Sequence, residues 1–397
     1  MTFVSNSILN TFDLMKKFKG ISRFLLLLFT VAFVFGSCKE KQSEPQKTTT
    51  DSLLKPSYAK GFYIEKKDGY TLLKVTKPWP HATKTFTYAL VPKGNKKPDG
   101  NFDAVVTTPV SKIVATSTTY IPSLEALQVE NTLVGFPDTQ YISSPNTRKM
   151  IEEGKIKELG ANESINTELV IDINPDVIIG FSINDQNKTY ATIQKTGIPV
   201  VYNGDWAEET PLGKAEWIKF FAPFFNKEKE ADSIFNYIEK NYLKAKQLVA
   251  ERTEKPTVLC GAMYKDVWYL PGGKSWMAQF LADANTNYLW KNTDETGSLK
   301  MTFESVYDMG VDADFWIAPG QFIAYNQLTQ ENNSYKNFKA FKNKKIYTFS
   351  NTKGPTGGLL YYEMAPSRPD LVLKDIIYYL HPDALENYTP HFFKTLE

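Results

Sequence analysis

Aromatic side chains are the residues of this sequence best suited to recognising a ligand. The chain contains 26 phenylalanines, 22 tyrosines and 7 tryptophans, and several of them directly follow apparent strands or lie in loops. In open α/β folds the loops beyond the carboxyl ends of the strands face the ligand crevice, and an aromatic crevice fits a large, flat, partly apolar ligand. The alternative for each residue is packing in the core or on the surface. The predicted ligand-binding aromatics are Tyr120, Tyr141, Phe181, Trp206, Tyr264, Trp268 and Tyr361, and Trp276 and Tyr362 share the same pattern.

Arg368 adds a cation to the predicted ligand-binding set. It stands at the start of the last predicted helix, where a guanidinium could clamp a carboxylate, a phosphate or an anionic chelate through two hydrogen bonds. The alternative is a local ion pair with Asp370. The adjacent pair Tyr361 and Tyr362 could ligate ferric iron as phenolates, or haem iron axially, and packing beside the cleft is the alternative for both.

Neither a catalytic residue nor a metal site or cofactor is predicted. The sequence contains no Gly-x-Ser-x-Gly elbow, no Walker loop and no His-Glu-x-x-His motif. Two cysteines exclude a Cys-rich zinc module, and three widely separated histidines, His81, His381 and His391, cannot by themselves form a metal cluster. The formal net charge of +2 gives none of the basic field that nucleic-acid binding requires. Binding without chemistry is therefore favoured.

The elements that must position these residues change character along the chain. Apolar and polar residues first alternate in strand fashion, with a hairpin signal at Asp68-Gly69, which predicts a small antiparallel β unit. Strands then alternate with helices, which predicts parallel α/β sheets, and a long helical stretch with a break near Pro223 to Lys227 interrupts this alternation. The predicted ranges are 55–105 for the β unit and 111–388 for the α/β domain, with an N-lobe at 111–210, a connector at 211–253 and a C-lobe at 256–388.

A weak internal repeat relates the two predicted lobes. In each lobe a helix opens near a glutamate, Glu168 or Glu304, and leads to an aspartate, Asp176 or Asp314, that precedes a buried strand. The glutamate and the aspartate are eight residues apart in the first copy and ten in the second. Two repeated lobes joined by a helical stretch predict a duplicated architecture with a cleft between the halves.

The N-terminus has the pattern of an export signal. Basic residues precede a 13-residue apolar run, Phe24 to Gly36, which is short for a membrane span of roughly 20 residues. The Ser37-Cys38 pair that follows resembles the lipobox of bacterial lipoproteins, in which the cysteine is lipidated, and an ordinary signal peptide is the alternative. The predicted ranges are a signal peptide at 1–37, starting from Met1 or Met15, and a flexible tether at 38–54.

Several segments together make the chain similar to the substrate-binding lipoproteins of ABC importers for iron chelates and cobalamin, in a Bacteroidetes-like form. The resemblance covers roughly residues 58–397. It implies two similar α/β lobes joined by a long rigid interlobe helix, ligand-facing aromatics at Tyr141 and Tyr264, and docking of Glu168 and Glu304 onto the two permease subunits. The segments are VATSTTY at 114–120 with LEAL at 124–127 and LVG at 133–135, NPDVII at 174–179, TPLGKAEWIKFF at 210–221, WYLPGG at 268–273 with MAQFL at 277–281, ADFWI at 313–317, and 366–380 followed by His381-Pro382.

The residues and the resemblance together predict a protein anchored by a lipid on Cys38 to the periplasmic face of a bacterial membrane, inner or outer. It would deliver an iron chelate or cobalamin to an ABC permease dimer and would have no nucleic-acid partner. Haem is the alternative ligand. The alternative classes are a periplasmic enzyme of similar architecture, such as a chelatase, and a surface protein that passes ligand to an outer-membrane receptor. The lack of histidine between His81 and His381 argues against a chelatase.

Overall fold

The structure, a computed structural model, describes residues 52–397. The predicted signal peptide, Cys38 and most of the predicted tether lie outside these residues. The α/β prediction is confirmed, because each lobe is built on a mainly parallel five-stranded sheet flanked by helices.

The β unit is a five-stranded sheet whose strands follow one another in chain order. The first four strands are antiparallel, and the fifth runs parallel to the fourth. Gly69 takes a φ of +80° in the turn between the second and third strands, a conformation that glycine adopts without steric cost. The strands are Ser52–Leu54, Phe62–Lys67, Tyr70–Val75, Phe86–Pro92 and Ala104–Thr108.

One face of the β unit is buried against the N-lobe. The ring of Phe62 lies 4.7 Å from that of Trp217, and Leu73 and Tyr88 belong to the same hydrophobic core. These residues share a face because side chains alternate along a strand. The β unit therefore shares the core of the N-lobe, and only a small cluster of Leu72, Ala89 and Val91 forms on its other face.

The N-lobe sheet is entirely parallel. Its strand order places the first strand in the centre and the last at one edge, as in a doubly wound fold. In sheet order the strands are Val200–Tyr202, Val177–Gly180, Ile113–Ala115, Leu133–Phe136 and Lys157–Glu158, and the helices are Ile121–Ala126, Pro145–Glu152, Thr167–Ile173 and Lys188–Lys195.

The C-lobe sheet is also doubly wound, but its first strand lies next to one edge and the strand at the other edge is antiparallel. A separate antiparallel sheet in the C-lobe consists of Ala262–Tyr264, Val267–Pro271 and Ser298–Met301. In sheet order the C-lobe strands are Asn287–Tyr288, Thr257–Cys260, Phe315–Ile317, Ile346–Thr348 and Lys394–Thr395. The helices are Trp276–Asp283, Phe303–Gly310, Tyr325–Glu331, Lys339–Lys342, Leu360–Met364 and Pro369–Leu380.

The connector consists of three helices, Pro211–Glu216, Ile218–Phe225 and Glu228–Val249. The break falls at Asn226, which takes a left-handed φ of 57°, and not at Pro223, which is accommodated inside the second helix. We call Glu228–Val249 the connector helix. Its first half is buried in the core of the N-lobe and its second half in the core of the C-lobe, through Ala231, Phe235 and Ile238 and through Tyr242, Ala245 and Val249 respectively.

The internal repeat has a structural basis in Asp176 and Asp314. The Asp176 carboxylate accepts hydrogen bonds from the backbone amides of Ser111 and Lys112, at 2.8 and 2.9 Å. The Asp314 carboxylate accepts from the amide and the hydroxyl of Thr257, at 2.9 and 2.7 Å. In each lobe the aspartate thus ties the start of its own strand to the start of the first strand, which explains why both copies retain it.

Two buried glutamates hold the loop between the first and second strands of the β unit. Glu216 accepts hydrogen bonds from the amides of Tyr58 and Ala59 at 2.7 and 3.0 Å, and Glu208 accepts from those of Lys60 and Gly61 at 2.7 Å. Hydrogen bonds to a charged acceptor are about twice as strong as neutral ones. The segment 57–61 is therefore fastened to residues 208–216, where the N-lobe passes into the connector. Among residues 52–397 no helix is long and apolar enough to span a membrane.

Candidate ligand-binding cleft

In each sheet the order in which the strands are added reverses at one point, and a ligand crevice is favoured at that point. In the N-lobe this point lies between the strands Ile113–Ala115 and Val177–Gly180, and in the C-lobe between Thr257–Cys260 and Phe315–Ile317. Ligands of open α/β sheets bind outside the carboxyl ends of the strands at such points. Phe181 and Tyr264 follow two of these four strands, and Phe181 is half-buried there.

Exposed aromatic side chains are concentrated beyond the strand ends of both lobes. Tyr141 is 58% exposed and Trp206 is 39% exposed on the N-lobe side, while Tyr264 is 66% and Tyr362 57% exposed on the C-lobe side. Tyr141, Trp206 and Tyr264 closely follow the carboxyl ends of parallel strands. Tyr362 lies in the helix Leu360–Met364 and packs against Phe349, which directly follows the strand Ile346–Thr348. Large aromatic surfaces in water are costly unless a partner covers them, so these four residues are the strongest candidates for ligand contact.

The lobes touch each other beside Tyr141. The Glu363 carboxylate of the C-lobe accepts hydrogen bonds from the amides of Ser143 and Ser144, at 2.5 and 2.9 Å, and the Thr356 hydroxyl donates to the carbonyl of Gln140 at 2.7 Å. Ser144 caps the helix Pro145–Glu152, so Glu363 sits at the positive end of that helix. We call this contact the Glu363 latch.

The glycine-rich loop of the C-lobe packs directly against the N-lobe at the same place. A Cβ atom at Gly354 would lie 2.6 Å from Ser143, and one at Gly358 would lie 2.3 Å from the carbonyl oxygen of Tyr141. Both distances are too short for any residue but glycine. The close backbone approach that these glycines permit is therefore made to the opposite lobe.

Burial raises the pKa of Glu363 to about 7, and the nearby Glu125 acts in the same direction. The two backbone hydrogen bonds from Ser143 and Ser144 act in the opposite direction, because they stabilise the charged form. The Glu125 carboxylate is itself bonded to the hydroxyls of Ser144 and Thr147. The latch consequently holds a carboxyl group that changes charge near neutral pH.

A pocket of ≈ 360 Å³ lies between the lobes, within the size range of small-molecule sites. Trp206 and Lys214 line it from one side, and Trp276 and Ser275 of the C-lobe from the other. The Lys214 ammonium donates to the carbonyls of Asp205 and Trp206, at 2.9 and 3.0 Å, and lies 5.3 Å from the Trp276 ring centre. An ammonium has three donors, so one remains for an acceptor on a ligand.

Burial lowers the pKa of Lys214, and the carboxylates of Asp205 and Glu208 oppose this shift. Burial also raises the pKa of Asp205. The positive charge of Lys214 is thus held in a dry site by neighbouring acids. Sequence reasoning missed this cation because Lys214 lies in the short helix Pro211–Glu216, and nothing in its spacing separates it from a surface lysine.

Three predicted ligand-binding aromatics belong to the hydrophobic cores. Trp268 is fully buried, donates through Nε1 to the carbonyl of Cys260 at 3.0 Å and stacks on Trp316. Tyr361 is buried and stacks on Phe349 with ring centres 4.2 Å apart, and Tyr120 is likewise buried. The prediction of direct contact needs correction for these residues, because a ring enclosed by other side chains offers no surface to a ligand. The hydroxyls of Tyr120 and Tyr361 have no hydrogen-bond partner among residues 52–397.

Arg368 is engaged in a local ion pair. Its guanidinium forms a two-pronged ion pair with Asp370, with Nε and Nη2 each 2.9 Å from a carboxylate oxygen. It lines a separate hollow of ≈ 400 Å³ beside Tyr237 of the connector helix and Met364. Asp370 is completely buried, so Arg368 neutralises a buried charge, and the predicted ligand clamp needs correction to the local ion pair.

Glu168 and Glu304 occupy matching places in the two lobes. Each lies in the first turn of its helix, Thr167–Ile173 or Phe303–Gly310, and each is exposed. Neither carboxylate has an ion pair or a side-chain hydrogen bond within residues 52–397. Their predicted role in docking stays a prediction.

Over the same residues no group of three or more His, Cys, Asp and Glu side chains is placed to hold a metal ion. The Cys260 thiol is enclosed in the C-lobe core, and this burial raises its pKa.

Comparisons with known proteins agree with this architecture. A family model described as periplasmic binding protein matches residues 113–352. An uncharacterized lipoprotein of Methanocaldococcus jannaschii is 30% identical over 313 residues, which cover 76% of this chain and 73% of the relative.

Two solved structures share the fold. One is a possible iron-binding, periplasmic solute-binding protein of Staphylococcus epidermidis, with a TM-score of 0.55 at 18% identity, over 69% of this chain and 100% of the other. The other is a periplasmic haem-binding protein of Pseudomonas aeruginosa, with a TM-score of 0.56 at 16% identity, over 72% of this chain and 98% of the other.

Proposed function

Because the chain belongs to the periplasmic binding protein family, a family of solute-binding proteins and not of enzymes, we propose that it captures an iron chelate or cobalamin and delivers it to an ABC importer. The observation that carries this proposal is the group of exposed aromatics beyond the strand ends of both lobes, Tyr141, Trp206, Tyr264 and Tyr362. Flat, partly apolar rings of a corrinoid or a catecholate chelate would stack on such residues.

Lys214 supplies the charge that Arg368 does not. When a bound ligand excludes water, the remaining N–H donor of Lys214 lacks a hydrogen-bond acceptor unless the ligand brings a negative or strongly accepting group. We therefore expect a ligand with at least one such group. The solved structures named above support this class, since one is described as possibly iron-binding and the other as haem-binding.

The test is a titration of the mature chain carrying Cys38→Ser, which removes the predicted site of lipidation. Cobalamin, haem and ferric siderophores are added separately, and the visible spectrum and the bound fraction are measured. Saturable binding of a ferric chelate or cobalamin is the expected result. A folded protein that binds none of these would contradict the proposed ligand class.

Two tyrosine variants locate the site. Truncating Tyr141 or Tyr264 to alanine should cost on the order of 1–3 kcal/mol of binding free energy through lost stacking and burial. Tyr237→Ala is the matched control, because Tyr237 is 63% exposed but lies on the connector helix. Equal affinity in all three variants would place the ligand elsewhere.

Haem is the second candidate, and the exposed Tyr362 favours it specifically. A tyrosine phenolate can ligate haem iron, and Tyr362 is the more accessible member of the Tyr361-Tyr362 pair. Haem binding with a spectrum that changes in Tyr362→Phe would favour this ligand. An unchanged spectrum in that variant would remove Tyr362 as the axial ligand.

Lipid anchoring and permease docking complete the proposal. The lipoprotein relative supports an anchor on Cys38, and the matching exposed positions of Glu168 and Glu304 suit a two-fold permease. Cys38→Ser should move the protein from the membrane fraction to the soluble fraction of cells, or leave the signal uncleaved. A variant that still carries palmitate would contradict the anchor.

A further inference from the structure

Charge is distributed unevenly between the β unit and the rest of the described body. Residues 52–108 contain ten lysines and four acidic residues, a net charge of +6. Residues 109–397 contain 29 basic and 36 acidic residues, a net charge of −7. The near-neutral net charge of the whole chain therefore combines a basic β unit with an acidic body.

The lysines gather where the chain enters the body. Ser52 pairs with Lys66, at the end of the sheet that also carries the turn at Asp68-Gly69. The loop 93–97 lies at this same end, and its Asn95 side chain donates to the carbonyl of Gly69 at 2.8 Å. We call this the entry end. Its lysines are Lys66, Lys67, Lys93, Lys96 and Lys97, against Asp68 and Asp99.

Several of these charges are available to a partner. Lys93, Lys96 and Lys97 are exposed. Lys93 and Lys97 have no ion pair within residues 52–397, and the one pair of Lys96, with Asp99 at 4.0 Å, is fully exposed to water and contributes little. Lys66, by contrast, is paired with Glu228.

The edge strand Ser52–Leu54 adds apolar surface at the place where the chain enters. Leu53 is 51% exposed and Leu54 is 49% exposed. Exposed leucines on an edge strand are a liability in water, and native proteins normally protect such edges. Lysines beside exposed leucines form the composition that binds a lipid interface, where the apolar groups enter the headgroup region and the cations meet its charge.

We propose that the entry end binds the anionic headgroup layer of the membrane that holds the protein's own lipid anchor. This proposal depends on the proposed lipid anchor only because the anchor keeps the entry end close to the membrane. Thirteen residues separate Cys38 from Ser52, and even a fully extended segment of this length spans at most about 50 Å. The membrane surface that holds the anchor is therefore always within reach of the entry end. Its anionic headgroups would carry the charge opposite to that of the lysines.

The membrane contact would act as a second attachment. A basic patch is a common second signal beside a lipid anchor. Each lysine near an anionic surface contributes about a fivefold gain in partitioning. The tether would then hold the body in a preferred orientation on the membrane.

The test measures binding of the mature Cys38→Ser chain to vesicles, so that the anchor does not contribute. Vesicles of phosphatidylcholine alone are compared with vesicles of equal parts phosphatidylcholine and phosphatidylglycerol, in about 0.1 M and about 1 M salt, where the Debye length falls from about 10 to 3 Å. The expected result is binding only to the anionic vesicles, and its loss at high salt.

Two charge-matched variants locate the surface. Lys93→Glu with Lys97→Glu, at the entry end, should lower partitioning at least about tenfold. Lys60→Glu with Lys77→Glu is the control, since these exposed lysines lie at the opposite end of the same sheet and also lack ion pairs within residues 52–397. Leu53→Ser should weaken binding to the anionic vesicles several-fold in about 0.1 M salt.

Three outcomes would overturn the proposal: no binding to anionic vesicles, an equal loss in the two charge variants, or an entry-end variant that binds vesicles normally but no longer supports uptake in cells. The last outcome would show that the entry end meets an acidic protein. Ligand titration of the same preparations keeps the proposed function separate, because the cleft residues are unchanged in every variant.

Discussion

The Glu363 latch allows a quantitative prediction about stability and pH. Glu363 is 1% exposed and carries a pKa of about 7, against an ordinary value of 4.5. A carboxyl group whose pKa is raised by folding binds more protons in the folded state than in the unfolded state. Its favourable contribution is therefore complete below pH 4.5 and is lost as the pH rises through about 7.

The magnitude follows from the same two values. A shift of one pKa unit corresponds to about 1.4 kcal/mol, so this group alone should lower the free energy of unfolding by roughly 3 kcal/mol between the two pH limits. Glu363→Gln cannot ionise, and its stability should lack this component of the pH dependence. The difference between the two proteins isolates Glu363 from other buried acids such as Asp205 and Asp375.

The measurement is urea unfolding of the mature Cys38→Ser chain at pH 5, 6, 7 and 8, followed by tryptophan fluorescence. Glu168→Gln is the control, because that carboxylate is exposed, and it should keep the full pH dependence. If Glu363→Gln and the unmodified chain lose stability in parallel as the pH rises, Glu363 does not titrate in the latch.

Three further predictions concern docking, the Arg368 ion pair and lobe movement. Glu168→Arg with Glu304→Arg should abolish uptake in cells while ligand affinity stays within a few-fold, and a loss of ligand binding instead would make these residues part of the fold or the cleft. Arg368→Lys should leave ligand affinity unchanged but lower the free energy of unfolding by about 1–3 kcal/mol, because lysine cannot make both hydrogen bonds to the buried Asp370, and a selective loss of affinity would restore Arg368 to the site. Because the connector helix enters both cores, X-ray scattering should give nearly the same radius of gyration with and without ligand, and marked compaction would contradict a stiff connection.

The order of elements was predictable because it depends on local pattern. The alternation around Asp68-Gly69 is confirmed as an antiparallel sheet, and the helix predicted to open near Glu168 is confirmed as Thr167–Ile173. The spacing of apolar residues along the sequence distinguishes strands from helices. The repeat of Glu168 with Asp176 and Glu304 with Asp314 was also visible, since each aspartate directly precedes a buried strand. Its hydrogen-bond partners, 65 and 57 residues away, were not.

The membership of the cleft was decided by tertiary packing. Trp268 and Tyr264 are four residues apart in one hairpin, yet Trp268 is enclosed by the C-lobe core and Tyr264 is exposed. Which aromatic faces water depends on what the rest of the chain places over it, and a position in a loop does not reveal that.

Charge pairing was likewise a property of the fold. The sequence alone offered both a ligand clamp and the Asp370 pair for Arg368, and the complete burial of Asp370 decided between them. The importance of Lys214 and Glu363 follows from contacts with residues distant in sequence, Trp276 for Lys214 and Ser143 for Glu363. Composition and periodicity thus predicted two α/β lobes with a helical connector, and the family resemblance predicted the kind of protein. Burial, which depends on contacts between distant segments, determined which side chains can meet a ligand.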